Sequence, residues 1–248
     1  DAETEFEKKF LEEILHPFEK SEVGVVVGNL NYKKTGSDSN EAESLYWIYE
    51  KFIRKLEERN NILCNGTGAA MAIRSEIYSE IDQSEDVDTA IPIDAHIQGY
   101  NVVYAWSALA YDYTIETHDQ AFNSKIRGAS QTILCWKNRL NPGFIFRNKL
   151  LFLSFIFHRL LRYSTFLFIS LIILSLFSML GSEESFYFSL ILLSILFIFL
   201  SLGFALRNNE KGNLFFKASK FLYLFIISSS GMFIGMLKGF ADKSTTIY

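Results

Sequence analysis

The segment Ser84-Glu-Asp-Val-Asp-Thr-Ala-Ile-Pro-Ile93 sets three acids at the head of an apolar run, and it is followed at once by Gly99-Tyr100-Asn-Val-Val-Tyr104. A short way upstream lies Asn65-Gly-Thr-Gly-Ala-Ala-Met-Ala-Ile-Arg74, a loop of small residues whose backbone can approach a ligand closely. Small-residue loop, carboxylate cluster, then a turn into a β-branched strand is the order around which the rest of the chain is arranged.

Working outward from that stretch, Glu41 to Arg59 is the clearest helix. Leu45, Ile48, Tyr49, Phe52, Ile53 and Leu56 recur at helical spacing with charges between them, and Tyr46 and Trp47 leave that stripe for a second surface. Val23-Gly-Val-Val-Val-Gly28 is a short apolar run that reads as a buried strand, and Tyr32 to Asn40 as a polar loop. Phe6, Phe10, Leu11, Ile14 and Leu15 share one face of a helix that stops at Pro17. Asn101–Trp106 and Leu109–Tyr113 read as two strands around Ser107-Ala108. Helices and short strands in alternation predict an α/β sheet domain, with ligands beyond its strand ends.

The charge is unevenly spread. Residues 1–146 carry most of it, and the net value of −4 argues against a nucleic-acid footprint, which needs a clustered basic face. Cys64 and Cys135 stand far apart with no metal-ligand neighbours and read as two reduced thiols; His16, His96, His118 and His158 form no metal spacing. The chain starts at Asp1 without a basic-then-apolar leader, and its first residues read as the middle of a domain.

From Arg147 the character changes. Arg147, Ser154, His158 and Arg162 line one helical stripe among Leu, Ile and Phe, which predicts an interfacial amphipathic helix over 147–162 with arginines at lipid headgroups. Residues 163–248 then carry three apolar spans, Tyr163–Leu180, Phe186–Leu206 and Phe221–Leu237, the last interrupted by Ser228-Ser-Ser-Gly231. The connector with Arg207, Lys211, Lys217 and Lys220 is basic and Gly181-Ser-Glu-Glu-Ser185 is acidic, so the positive-inside rule predicts residues 1–162 in the cytoplasm. No span has a charged residue in its interior, which disfavours a transporter.

Taken together, the small-residue loop, the acids before Thr89-Ala-Ile-Pro-Ile93, Gly99-Tyr100 and the helix Tyr46-Trp-x-Tyr-Glu50-Lys-x-x-Arg54-x-x-Glu57 resemble the catalytic domain of membrane-bound family 2 glycosyltransferases. Asn141-Pro-Gly143 and His158-Arg-Leu-Leu-Arg162 resemble that family's lead into the membrane. The resemblance implies a partial GT-A, Rossmann-like sheet domain over 1–146 that transfers sugar from a nucleotide-sugar donor to a polysaccharide or lipid-linked acceptor. It further implies a divalent metal, Mg or Mn, held by Asp1 and Glu3, and a general base that spacing places at Asp88, eleven positions before Gly99, with Asp86 as the other candidate. Gly66, Gly68 and Arg74 would then belong to the donor and acceptor loop, and Lys125 and Arg127 would grip the leaving diphosphate. Because the family's uridine-binding half would precede Asp1, this stretch by itself is expected to be inactive. The competing expectation is a non-catalytic membrane protein, whose acids form a helix first turn favoured by the helix dipole.

Overall fold

The computed structural model describes residues 4–33, 41–113, 118–206 and 213–242. Four strands form one mixed sheet: β1 (Glu5–Phe6), β2 (Val23–Lys33), β3 (Met71–Ile73) and β4 (Asn101–Tyr113), in the order β1-β4-β2-β3. β2 and β4 are parallel, while β1 and β3 run antiparallel to their neighbours. β2 lies between β4 and β3, which is why its Val25, Val26 and Val27 are all fully buried: both faces of a covered central strand are apolar. One face packs on α1 (Phe10–Leu15), and the other on α3 (Val87–Ile97).

β4 is a single strand where the sequence reads as two, but the break at Ser107-Ala108 has a counterpart. Gly28 pairs with Ala105, and the next residue, Asn29, pairs with Leu109, so Trp106, Ser107 and Ala108 bulge from the ladder. The Trp106 carbonyl freed there accepts from Asn29 Nδ2 at 3.0 Å. Phe6, expected on the first helix, sits in β1 instead and packs its ring 4.4 Å from Phe10.

The second half is helical. α4 (His118–Arg139) is followed by α5 (Pro142–Arg147), α6 (Lys149–Ser154), a π-helical turn at Phe155–Leu160, and α7 (Leu161–Tyr163). These meet the C-terminal part of α10 (Leu214–Phe240) in a core built on Trp136, Phe144, Leu151, Phe155, Tyr163 and Met236. Trp136 is 1 % exposed and stacks on Phe155 at 4.2 Å; burying one such side chain contributes on the order of 2–3 kcal/mol. α3 is tied to α4 through Arg139, whose guanidinium holds both Asp94 oxygens (2.7 and 2.9 Å) and Glu85 (2.7 Å).

The apolar spans also differ from the sequence reading. α9 (Phe186–Ala205) matches its expected span within a residue. α8 (Thr165–Met179) has 15 residues and is bent by 52° from Lys149–Tyr163. α10 has 27 residues and runs unbroken through Ser228–Gly231, where Ser230 Oγ donates to the Ile227 carbonyl at 2.8 Å and Gly231 fits against Phe122. Among the described residues, α9 and α10 are long and apolar enough to cross a membrane, with the bent pair as a third if it counts as one span.

Of the stripe on 147–162, Arg147 is exposed and the rest turns inward. Ser154, His158 and Arg162 meet carboxylates of α2 (Glu41–Arg59), and the face left exposed is apolar: Leu150, Leu153, Phe157 and Leu161. On α2 the expected burial is reversed. Tyr49 and Phe52 are 53 % and 59 % exposed, whereas Glu50, Arg54 and Glu57 are buried. The cations of 158–162 supply the partners that make burial of those charges tolerable. The side chains of Tyr46 and Trp47 lie outside the described residues.

Candidate active site

Asp86 begins the site by capping α3. Its extended backbone turns its carboxylate back, so that Oδ1 accepts from the Asp88 N–H at 3.3 Å and Oδ2 from the Thr89 hydroxyl at 2.7 Å. Both oxygens are thereby used in structure. Asp88, two residues on, projects from the first turn toward the loop.

Pro92 explains why the loop comes to it. A proline at this position has no N–H to offer the Asp88 carbonyl four residues back. That carbonyl accepts instead from the Gly66 N–H at 2.6 Å. Gly68 closes the contact: its N–H hydrogen-bonds the Asp88 carboxylate, and a Cβ added there would collide with Oδ1. Asn65 joins from the same loop, accepting from the Thr89 hydroxyl at 3.2 Å. Gly66, Gly68, Asp86 and Asp88 are thus brought together.

Burial between α3 and the loop, with the Asp86 charge beside it, pushes the Asp88 carboxyl up to about 6; the Gly68 N–H and the Arg54 charge act in the other direction. Arg54, from α2, reaches Thr67 Oγ1 at 3.2 Å and also hydrogen-bonds Tyr104. The Tyr104 hydroxyl lies 3.4 Å from Asn29 Oδ1, next to the bulge. The cluster therefore holds one carboxyl raised toward neutrality, one buried guanidinium and a phenol beside the Gly66–Gly68 backbone. A carboxylate of this kind accepts a proton, and a guanidinium of this kind steadies an anion.

Behind the cluster the charges continue to the membrane-proximal segment. Arg54 Nε is 3.7 Å from Glu50, and Glu50 in turn faces His158 (3.3 Å), Arg159 (3.6 Å) and Arg162 (3.1 Å). His158 Nδ1 is 2.8 Å from Glu57, which also accepts from Ser154 at 2.6 Å. Burial opposes ionisation of Glu50, but the His158 hydrogen bond and the two arginine charges outweigh it and hold the carboxyl well below the usual range. Burial likewise opposes the charge on His158, yet its two carboxylate partners raise its pKa above the ordinary value.

Other residues expected in the site lie elsewhere. Arg74 donates to the carbonyls of Val23 (2.6 Å), Phe18 (2.7 Å) and Lys20 (2.9 Å), so its guanidinium braces the entry to β2. Lys125 and Arg127 are exposed on α4. Cys135, where α4 touches Asp86 (Asp86 N–H to Sγ, 3.2 Å), is eight residues beyond Arg127, about 12 Å along a helix axis. Asp1 and Glu3 lie outside the described residues. Among the described residues no group of three His, Cys, Asp or Glu side chains is arranged to hold a metal ion, and both Asp86 oxygens already accept hydrogen bonds. Cys64 and Cys135 are free and buried; burial pushes the Cys64 thiol up to about 12, which leaves it unreactive.

The sequence singles out Glu50, Arg54, Glu57, His158 and Arg162 only as members of helices, and Tyr104 as part of a strand; their contacts with one another and with Arg159 are not foreseen. Their signal is spacing: Glu50, Arg54 and Glu57 share a helical face, as do His158 and Arg162, with opposite charge. No protein-family model matches the chain, and no related sequence is found among curated proteins.

Proposed function

We propose that the protein carries the acceptor side of a glycosyl-transfer site of the family 2, GT-A type, next to a membrane, moving sugar from a nucleotide-sugar donor to a glycan or lipid-linked acceptor. The observation that carries this reading is the contact of Asp88 with the Gly66–Gly68 loop: two motifs that the resemblance links are joined by the Pro92-freed carbonyl and the Gly68 N–H. In this reading Asp88 takes the proton of the acceptor hydroxyl as its oxygen bonds to the anomeric carbon. The bond from that carbon to the phosphate oxygen breaks, and the nucleoside diphosphate leaves. Arg54 orients the Thr67 end of the loop.

The test is release of nucleoside diphosphate from a panel of nucleotide sugars by the full protein in membranes. Acceptor-dependent turnover of one donor is expected; a protein that binds and turns over none of them is the non-catalytic membrane component instead. In the active protein, Gly68→Ala places a methyl group against the Asp88 carboxylate. Displacing a reacting group by about 1 Å costs on the order of 100-fold, so a loss of that size in kcat is expected, with the melting temperature little changed. Unaltered kcat in Gly68→Ala would remove Asp88 from the chemistry.

A further inference from the structure

We infer that α10 does not cross the bilayer but lies along its surface, so that the chain crosses twice, through the α8–α9 hairpin, and returns to the side of the sheet domain. The argument is independent of any transfer chemistry and starts from three glycines. Gly231, Gly235 and Gly239 recur every fourth residue and seat α10 on α4. A Cβ added at Gly235 would stand 2.8 Å from Ala129 Cβ, one at Gly239 2.8 Å from Ile133 Cβ, and one at Gly231 3.0 Å from the Phe122 ring. Met236 enters the Trp136–Tyr163 core, and Lys137 donates to the Phe240 carbonyl at 3.2 Å and to Asp242 at 2.6 Å. From Gly231 onward α10 is part of the same body as α4.

α4 exposes Asn123, Lys125, Arg127, Lys137 and Asn138, side chains that require water. The last third of α10 is therefore outside the hydrocarbon, on the sheet-domain side. At its other end α10 carries Lys217 and Lys220. Only residues 221–230 lie between Lys220 and Gly231, about 15 Å of helix, against a hydrocarbon layer of about 30 Å. Length and composition alone would let α10 span; where its ends are held does not.

The neighbouring helices fix the rest. A Cβ at Gly203 of α9 would stand 2.7 Å from Tyr223 Cβ and would collide with the Ser219 carbonyl, so the end of α9 rests on the lysine-bearing end of α10. α9, with 20 residues, is about 30 Å long and reaches across. It leads back to Glu183 and Glu184, which need the far aqueous side. Tyr163–Leu180, about 27 Å as helix, brings the chain over. Leu214, Phe221 and Phe225 share one exposed face of the first part of α10, which then meets acyl chains in the plane of the surface, and Lys217 and Lys220 meet its headgroups.

Single cysteines at Glu76→Cys, Glu183→Cys, Lys211→Cys and Asp242→Cys, probed with a membrane-impermeant maleimide in vesicles of both orientations, test this; native Cys64 and Cys135 are buried. Positions 76, 211 and 242 are expected to label from one side and 183 from the other. Position 242 labelling with 183 would mean three crossings, 211 alone on the far side would mean that α9 and α10 cross, and all four on one side would mean none; each overturns the inference. Protease cleavage of the unsubstituted protein in the 207–213 connector reads the same topology. It is expected from the sheet-domain side, and cleavage from the far side overturns the inference.

Discussion

Asp88→Asn is expected to abolish transfer while leaving the fold intact. Replacing a general base by its amide costs about 10²–10⁴-fold, and donor binding should change far less than kcat. The substitution is close to isosteric, so the cap at Asp86 and the Gly66 contact with the Asp88 carbonyl survive. Stability should not suffer at neutral pH. The Asp88 carboxyl is raised to about 6 in the fold, so the stability it contributes is fully present below its unfolded value and is lost as pH rises through about 6. At neutral pH the amide removes a buried charge that burial and Asp86 both disfavour. The wild-type rate should climb as pH rises through about 6, where Asp88 loses its proton, and level off above. Measurement of kcat against pH, with melting curves of both proteins, checks each part. A flat profile between pH 5 and 8, or full activity in Asp88→Asn, would sink the assignment.

Glu50→Gln should be the most damaging change to stability. Glu50 faces Arg54, His158, Arg159 and Arg162 from a position 3 % exposed. Removing one partner of a buried ion network typically costs about 3–5 kcal/mol, because the remaining charges stay buried without compensation. Urea unfolding in detergent should register a loss of that size. The pH dependence has a definite sign on each side. Glu50 is depressed, so its contribution holds above its unfolded value and fades as pH falls through the depressed one. His158 is raised, so its contribution is complete below its unfolded value and disappears as pH rises through the raised one. The wild type should accordingly lose stability above neutral pH more steeply than Glu50→Gln does. A cost below about 1 kcal/mol would show that α2 and the 149–163 segment are held together by their apolar contacts instead.

Periodicity made part of this molecule legible before any coordinates. α2 has the boundaries its pattern predicts, α9 falls on its apolar run, and the acids of Ser84–Ile93 do head a helix that approaches the Gly66–Gly68 loop. What periodicity could not tell is which side of α2 is inside. A helical stripe identifies residues that share a face, and burial of the charged face depends on cations more than one hundred residues away. The membrane region shows the same gap. Three spans were counted by hydropathy, yet the place of α10 is set by glycines that fit α4, and hydropathy is blind to fit. Arg74 illustrates a third limit: its position beside the loop is readable, but the carbonyls it serves come from the turn before β2 and from the first residue of that strand. The membrane character itself rests on α9 and α10, each long and apolar enough to span, whatever the chemistry of the sheet domain.

The bulge at Trp106–Ala108 has an effect on how the sheet is lined. Three residues is an odd step, so the pleat of β4 reverses phase as it passes. Val102 and Tyr104 point toward α3, while Ala108 and Ala110, still even-numbered, point to the α1 side along with Val103 and Ala105. One strand thereby presents large side chains to the α3 side and a run of small ones to the opposite core, where Phe10 settles against the alanines. A one-residue deletion between Ala105 and Leu109 would restore alternation and keep Ala110 on the α1 side, whereas a two-residue deletion would, under unbroken alternation, turn the far half of the sheet inside out.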